Sequence, residues 1–324
     1  MSTPHHHPWV HRIAVVTTVL ALLPIVVGAL VTTKDAGMAF ADWPSSDGQN
    51  MLLYPWLKSA GDKFLEHGHR LAGIVIGLAS IGLVAVTWLM ESRRWVRLSV
   101  AAVFFSVFVQ GILGGQRVLM DARGLAFVHG LFAACVFSLM ATIAVVTGRR
   151  WFEASSEGSL SDLRRIRLLA AITVGVTFTQ YLLGGLLRHR GMVLHEHLGF
   201  AFVVLASIIM LFRAVHASRV AELTQLADRL AGLVLLQLLL GAGAWVTKFG
   251  FGDYVAVHGS LVQIALRTSH VITGMLLLMT SVVLLVRTLR LIHVSSGGRR
   301  SSGSPTATTV DWQARPTGFN GGVA

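Results

Sequence analysis

The sequence has little charge and almost no cysteine. Only 13% of its 324 residues are charged and 54% are hydrophobic, whereas a soluble domain carries roughly 25% charged residues. This balance excludes a soluble globular protein. The single cysteine, Cys135, lies inside an apolar run, which excludes a disulfide framework and a CxxC metal site. Basic residues exceed acidic ones by 27 to 15, but they cluster between apolar runs, so we expect membrane lipid and no nucleic acid as a partner.

Two further absences argue against particular membrane functions. Pro24 is the only proline inside an apolar run, and the runs carry almost no charge. Transporters, in contrast, use broken helices and polar sites near the membrane centre. The chain also has no Asp-x-x-x-Asp pair, so it lacks the paired acidic motifs with which a membrane prenyltransferase binds magnesium and diphosphate.

Eight apolar runs are each long enough to cross a bilayer, for which about 20 residues suffice. The first is too long for a secretory signal peptide and lacks a small-x-small cleavage site, so we interpret it as a helix. The sequence therefore predicts an all-α integral membrane protein with eight transmembrane helices. The runs lie near residues 13–33, 70–90, 98–119, 125–147, 167–187, 197–214, 229–247 and 268–288.

An internal repeat divides these runs into two groups of four. A Gln-x-x-x-Gly pattern recurs near the ends of the third, fifth and seventh runs, as Gln110–Gly114, Gln180–Gly184 and Gln237–Gly241. Residues four apart share a helical face, and a small residue there lets another helix or a flat ligand approach closely. Ordinary small-residue packing is the alternative explanation. Together with the histidine spacing below, the pattern predicts two pseudo-repeated four-helix bundles.

We divide the chain accordingly. Residues 1–12 form a cytoplasmic N-terminal tail, 13–150 the first four-helix half, 151–166 a cytoplasmic linker and 167–290 the second half. Residues 291–324 are rich in Ser, Gly, Arg, Thr and Pro. Because such a composition cannot bury enough apolar surface to fold, we predict a disordered cytoplasmic tail.

The distribution of Lys and Arg sets the predicted orientation. Most of the 27 basic residues fall on the inner side when both termini are cytoplasmic, as the positive-inside rule requires. In this frame the histidines near helix ends gather mainly on the outer side, where a site built from several helices would lie. The outer group comprises His67, His69, His129, His189, His195, His197, His258 and His270.

Four histidines occupy equivalent places in the repeat: His69 and His129 in the first half, His197 and His270 in the second. One histidine from each of two helices, facing inward, is how a helical bundle ligates haem iron. A catalytic zinc site usually needs three clustered protein ligands, so two haem sites fit the spacing better. A purely structural role for the histidines is the remaining alternative. His195 competes with His197, which we prefer because it aligns with His69.

The stretch Glu66-His67-Gly68-His69-Arg70 distinguishes the first half from the second. Glu66 and His69 are three residues apart and share a helical face, whereas Leu194 stands at the position equivalent to Glu66. A carboxylate near a haem ligand can exchange protons during an oxidation. We therefore predict Glu66 as the catalytic residue, the alternative being that these groups only face the polar membrane interface.

Arginines collect at the outer ends of the predicted helices. Arginine pairs well with carboxylates such as haem propionates, although lipid headgroups would equally attract these side chains. The set comprises Arg70, Arg117, Arg123, Arg188 and Arg190.

Over residues 12–290 the chain resembles the haem A synthases. The similarity rests on a Gly/Val/Thr run, Gly28 to Gly37, that leads into Asp42-Trp43-Pro44, and on Glu66-x-x-His69-Arg70. These motifs occur together with eight helices in duplicated halves and four helix-end histidines. Some bacterial members carry a cysteine pair in an outer loop, which this chain lacks.

The resemblance implies a membrane oxidoreductase that oxidises the C8 methyl of haem O to the formyl group of haem A, for use in terminal oxidases. By this analogy His69 and His129 flank the substrate haem, Glu66 is needed for the reaction, and His197 and His270 hold a haem b that relays electrons. The implied location is a bacterial-type plasma membrane with the haem sites toward the outer face. Haem O synthase, oxidase-assembly factors and a second copy of the chain are the implied protein partners. A di-haem electron-transfer protein without substrate chemistry is the alternative.

Overall fold

A computed structural model of the chain describes residues 6–155, 158–249 and 259–302. Within these ranges every regular element is helical, with one short 3-10 helix at Trp56–Lys58. The α-helices are α1 Pro8–Leu20, α2 Leu22–Thr33, α3 Gly61–Met90, α4 Arg94–Leu119, α5 Arg123–Thr147, α6 Arg149–Phe152, α7 Leu160–Arg190, α8 Leu194–Ser218, α9 Ala221–Phe249 and α10 Leu261–Ser302.

In the described part of the chain, eight helical segments are long and apolar enough to cross a membrane, with α1 and α2 together forming the first. The predicted all-α fold with eight transmembrane helices is confirmed, and the chain is an integral multi-pass membrane protein. Most helices extend beyond the apolar runs because a helix can continue through polar end residues. For example, α7 starts at Leu160, inside the predicted linker, where the Ser159 hydroxyl accepts a hydrogen bond from the Asp162 backbone N–H. Such N-capping satisfies a backbone donor that would otherwise lack a partner.

The first span is interrupted at Ala21. Pro24 has no backbone N–H, so the carbonyl of Leu20 loses the donor that an α-helix would place four residues later. The chain forms a single turn residue there and α2 resumes at Leu22. A proline inside a span is tolerated where neighbouring helices surround the break, and α2 packs against α3 and α10.

Each predicted half forms a ring of neighbouring spans. In the first, α3 contacts α1, α2 and α4, α4 contacts α5, and α5 returns to α1. In the second, α7 contacts α8, α8 contacts α9, α9 contacts α10, and α10 returns to α7. The halves meet where α10 packs on α5 and α2, and where α7 packs on α5. The duplication stays a prediction, with which this order of neighbours agrees.

The apolar core follows the same division. One cluster is built around buried residues of α7 to α10, such as Ile208 and Leu284, and another around α1, α3, α4 and α5, such as Leu83 and Ile143. A smaller cluster of Ala134, Met275 and Leu278 joins α5 to α10. The halves are therefore attached to each other by packed side chains.

The last helix continues further than the sequence indicated. The predicted tail starts at residue 291, yet α10 extends to Ser302. Serine hydroxyls of this segment bond back to the preceding turn, as Ser295 does to the Leu291 carbonyl. The start of the segment is also held by packing, because Leu291 is buried in the core of the second half and Ile292 packs against that core.

A buried ion pair connects the C-terminal end of α3, the N-terminal end of α4 and the C-terminal end of α5. The Glu91 carboxylate, 3% exposed, accepts hydrogen bonds from Arg93 at 2.7 and 2.9 Å. Arg93 also donates to the Val146 carbonyl at the end of α5, and Arg97 donates to the Glu91 carbonyl. Burial alone would raise the pKa of Glu91, but the hydrogen bonds and charge of Arg93 outweigh it and lower that pKa below its usual value.

This ion pair predicts a loss of stability in acid. Because the folded-state pKa of Glu91 is depressed, its contribution is complete above the unfolded value of about 4.3 and disappears as the pH falls through the folded value. We expect the melting temperature of the detergent-solubilised protein to drop on acidification below about pH 4, and to drop less in Glu91→Gln. Glu153→Gln is the control, since Glu153 pairs with Arg149 on the surface and should follow the wild type. Equal acid sensitivity in all three proteins would contradict the assignment.

Candidate functional site

The four histidines predicted as ligands lie near the N-terminal ends of their helices, at one end of the bundle. They form the two predicted pairs. The ring centres of His69 and His129 are 6.1 Å apart with an interplanar angle of 76°. Those of His197 and His270 are 6.2 Å apart at 80°. The two pairs thus have nearly the same geometry, although they come from different pairs of helices.

Both spacings suit a metal ion held between two imidazoles. A metal–imidazole bond is about 2.0–2.1 Å long, which places the ring centres of two trans imidazoles roughly 6 Å apart. No group of three or more His, Cys, Asp or Glu suited to a metal occurs among the described residues. This favours a ligand that supplies the other coordination positions itself, as a porphyrin does, over a compact zinc site.

All four imidazoles line one cavity of about 640 Å³. The cavity runs between the two halves, and most of its wall is apolar, as is typical of cofactor and small-molecule sites. Its polar groups are few and convergent. The sequence predicted two histidine pairs, and the structure connects them through a shared space.

The repeated glutamines support the histidine-bearing helices. The Gln110 side-chain amide donates to the His129 backbone carbonyl at 2.8 Å, and Gln180 donates in the same way to His197 at 2.9 Å. The Gln237 amide nitrogen lies 3.3 Å from Nε2 of His270 instead. Two of the three glutamines therefore bind the backbone of a ligand histidine, and the third contacts its ring.

Glu66 is buried, 4% exposed, but it is not among the residues that line the cavity. One carboxylate oxygen accepts from Arg70 at 2.8 Å, and the other accepts from the Ala39 backbone N–H at 2.7 Å and from that of Phe40 at 3.4 Å. Among the described residues, Glu66 and Glu91 are the two buried acids. Glu66 is thus the buried carboxylate at the histidine end, and both its oxygens are engaged.

The Glu66–Arg70 pair binds the segment that contains Asp42-Trp43-Pro44. Arg70 donates to the carbonyls of Asp42 and Ser45 at 3.0 and 2.7 Å, and Trp43 packs directly against Gly115 of α4. The Asp42-Trp43-Pro44 motif and the Glu66–Arg70 motif, more than twenty residues apart in the sequence, therefore contact each other. They attach the first long loop to α3 and α4.

Asp42 stabilises the same loop from within. Its carboxylate accepts from the backbone N–H groups of Asp47 and Gly48 at 3.0 and 2.8 Å. Burial alone would raise the pKa of Asp42, but a hydrogen bond from the Ser45 side chain and these two backbone bonds lower it below the usual range. Asp42 is therefore a loop-forming acid, outside the cavity.

Positive side chains face the cavity. Arg117 and Arg188, both predicted from the sequence, line it, and so do Lys248 and Arg267, which the sequence analysis did not single out. No Asp or Glu among the described residues lines it. Arg117 donates to the Gly37 carbonyl at 2.7 Å, which connects the cavity to the loop bound by Glu66. Such a site favours an anionic ligand with an apolar body.

Arg188 also joins the halves. It donates to the Ala29 carbonyl and to the Thr33 hydroxyl of α2, each at 2.9 Å. Thr33 in turn accepts from Thr268 of α10 at 3.1 Å. This buried chain of hydrogen bonds holds the first, fifth and eighth spans beside the cavity.

Two further residues line the cavity: Tyr181, which was not predicted, and His189, which was placed on the outer side but given no role. The Tyr181 hydroxyl is 3.5 Å from the carbonyl of Gly130, next to His129. His189 lies near the end of α7, with its ring centre 6.3 Å from that of Phe127. The repeat could not reveal them because neither has an equivalent in the other half.

The remaining predicted residues lie elsewhere. His195 is exposed and does not line the cavity, which favours His197 as the ligand. His67 is fully buried among Phe40 and Tyr54, with Nδ1 3.1 Å from the Ser46 hydroxyl. Arg190 is exposed. His258 lies outside the described residues, as does the side chain of Arg123.

Comparison with known proteins gives a consistent set of similarities. A family model described as "Cytochrome oxidase assembly protein" matches residues 57–196, which include Glu66, His69 and His129. The chain is 25% identical to Heme A synthase of Lysinibacillus sphaericus over 304 residues, covering 90% of this chain and 92% of that protein. It is 31% identical to Heme A synthase of Shouchella clausii over 138 residues, 41% of this chain and 44% of that protein.

A third relative carries a different name. Over 131 residues the chain is 31% identical to Protoheme IX farnesyltransferase of Halobacterium salinarum, covering 38% of this chain and 28% of that protein. Most of that protein lies outside the match, and the present sequence lacks a prenyltransferase's paired acidic motifs. Over most of its length the chain is thus similar to a haem A synthase, and the region of the first four-helix half that bears Glu66, His69 and His129 matches a cytochrome oxidase assembly family.

Proposed function

We propose that this protein oxidises the C8 methyl group of haem O to a formyl group and so produces haem A for terminal oxidases. In this proposal His69 and His129 hold the substrate haem. His197 and His270 hold a haem b that relays electrons. When bound, haem iron supplies the redox chemistry, while the protein binds, orients and shields the reacting group.

The observation that carries the proposal is the pairing of the four imidazoles across one apolar cavity. Two pairs with ring separations of 6.1 and 6.2 Å would offer each of two haem irons two histidine nitrogens. The apolar wall excludes water and accommodates a macrocycle. Both pairs line the same cavity, so haems held by them would lie close together, as an electron relay requires.

The cationic side chains support a ligand with carboxylate groups. Arg117, Arg188, Lys248 and Arg267 line the cavity and no described acid does. Haem carries two propionates, and arginine binds carboxylates through charge-assisted hydrogen bonds. We assign Arg117 to the propionates of the substrate haem, because Arg117 lies on α4, next to the helices of His69 and His129.

We propose that Glu66 acts on the substrate side through the loop that it binds. Its oxygens accept hydrogen bonds from Arg70, Ala39 and Phe40, and the same loop accepts a hydrogen bond from Arg117 at Gly37. Glu66 thereby positions a cavity residue without touching the cavity. The direct proton-transfer role suggested by the sequence stays a prediction.

We propose an orientation with both termini in the cytoplasm and the haem pairs toward the outer face of a bacterial-type plasma membrane. The basic segments around Arg93 and Arg149 lie at the end of the bundle opposite the four histidines, as the positive-inside rule requires. In this proposal a haem O synthase supplies the substrate and oxidase-assembly factors receive the product. Self-association of the chain stays a prediction.

A di-haem electron-transfer protein is the second candidate, and one observation favours it. Glu66, the residue predicted to act in the chemistry, is absent from the cavity wall. Electron transfer alone would need the four histidines but no exchangeable substrate site. The pigments of the purified protein distinguish the two functions.

We expect the purified protein to contain haem B, together with haem O and haem A when it is produced beside a haem O source. Extracted haems would be separated by chromatography from cells with and without that source, using empty-vector membranes as the control. Oxidised intermediates between haem O and haem A would support the synthase reaction further. Haem B alone, unchanged by the supply of haem O, would favour the electron-transfer protein. A preparation without haem would overturn both.

A further inference from the structure

A glycine lies against each of the four ligand histidines. Gly28 of α2 faces His69, and Gly114 of α4 faces His129. In the second half, Gly184 of α7 faces His197 and Gly241 of α9 faces His270. Each glycine belongs to the span that precedes the span of its histidine. We propose that these four glycines are positioning residues that set the planes of the four imidazoles; the proposal rests on the haem-binding function proposed above.

The contacts leave no space for a methyl group. A Cβ atom built on Gly28 would lie 2.7 Å from Cε1 of His69, and one on Gly241 would lie 2.9 Å from Cε1 of His270. The corresponding distances are 3.0 Å at Gly184 and 3.2 Å at Gly114. Ordinary carbon–carbon contacts are about 3.5–4.0 Å, so an alanine would push each ring aside. The displacement would be largest at Gly28 and Gly241.

Packing and hydrogen bonding act on the same edge of each ring. A metal-ligating histidine usually donates its second ring N–H to a carboxylate, a carbonyl or water, which fixes the ring plane. Here Nδ1 of each ligand histidine is buried and lacks a well-aligned hydrogen bond. Each ring nevertheless interacts with a backbone carbonyl of the preceding span, four residues before its glycine: Pro24, Gln110, Gln180 and Gln237. The atoms closest to each glycine are Cε1 and Nδ1. The glycine therefore lets the ring edge approach the preceding span closely, within reach of that carbonyl.

The sequence repeat has a physical explanation in these contacts. In the pattern Gln-x-x-x-Gly, the glycine receives the imidazole, while Gln110 and Gln180 bind the backbone of the same histidine one turn away. The first span carries the same spacing with proline in place of glutamine, as Pro24-x-x-x-Gly28. Each imidazole is thus held by a pair of residues four apart on the preceding span.

In the test, each of the four glycines is replaced by alanine. Each variant is compared with an alanine variant of a glycine that has open surroundings. Nothing lies within 4 Å of a Cβ built on Gly73, Gly111, Gly175 or Gly232. These positions are on α3, α4, α7 and α9, and alanine there should favour the helix. Full-length protein produced under haem limitation would be titrated with ferric haem b. The low-spin ferric EPR signal and the melting temperature without haem would be recorded in parallel.

We expect Gly28→Ala and Gly114→Ala to weaken haem binding at the first pair and to shift its EPR signal. Gly184→Ala and Gly241→Ala should do the same at the second pair. Loss of a group that orients a metal ligand typically reduces affinity about 10–100-fold, and we expect Gly28 and Gly241 to lie at the upper end. The unaffected pair in each variant shows that the protein has folded, and the four control variants should match the wild type.

Each other outcome overturns the inference. If the wild type takes up no haem, the proposed function fails and the positioning role fails with it. If the wild type binds haem and the four variants match their controls, the function stands and the positioning role is wrong. If every variant loses both haems together with its melting transition, the glycines serve general helix packing instead.

Discussion

Replacing His197 by alanine should remove the haem held by the second pair and stop the formation of haem A, while the first pair keeps its haem. His197 and His270 face each other across 6.2 Å in the cavity, so either replacement leaves a metal centre with one axial ligand. Total haem per chain should fall by about half, because each pair holds its own haem. Haem content, the low-spin EPR signal and haem A in extracts measure the three effects.

The chain provides a close control for this variant. His195 is two residues away on the same helix, but it is exposed and outside the cavity. His195→Ala should therefore keep both haems and the activity. Loss of haem in His195→Ala together with retention in His197→Ala would reverse the ligand assignment. In the first half, His69→Ala should abolish conversion and leave the haem of the second pair in place.

Replacing Glu66 by alanine should abolish the product while both haems remain bound. The hydrogen bonds of Glu66 go to Arg70, Ala39 and Phe40 and to none of the four imidazoles, so we expect the haem ligands to stay in place, whereas Arg70 would be left buried without a counter-ion. Removing one partner of a buried ion pair costs about 3–5 kcal/mol, and the loop held at Ala39 and Phe40 would be released. Haem content, conversion of haem O and thermal unfolding measure the three consequences. Loss of all haem would show that Glu66 maintains the whole haem-binding half.

Two more variants separate a positioning role from proton transfer. Glu66→Gln keeps an oxygen that can accept from the Ala39 N–H, so a positioning role predicts partial activity. A variant as inactive as Glu66→Ala would show instead that the carboxylate itself is required. The second half carries Leu194 and Leu198 at the equivalent positions, so Glu66→Leu combined with Arg70→Leu is a natural apolar replacement. We expect it to recover stability relative to Glu66→Ala while remaining inactive.

Much of the site could be predicted because its signals are local in the sequence. Four histidines at equivalent helix ends, together with the direction of each span, were sufficient to pair His69 with His129 and His197 with His270. A membrane segment must satisfy its backbone hydrogen bonds within itself, so each apolar run could be interpreted as a helix without knowledge of its neighbours. Helix ends were less accurate, since α7 begins with polar residues after Leu160 and α10 continues through polar residues after Ile292, where the apolar signal is weak.

The sequence by itself determined the membrane location, the eight helices and the four histidines with their pairing, because hydrophobicity and helical spacing act along a single segment. Only the tertiary structure decided that both pairs share one cavity and that Lys248 and Arg267 face it. It also showed that Glu66 accepts hydrogen bonds from a loop and does not line the cavity, and that a glycine packs against each imidazole. These features depend on which helices become neighbours and how closely their backbones approach, and that is decided by the packing of side chains from distant parts of the chain.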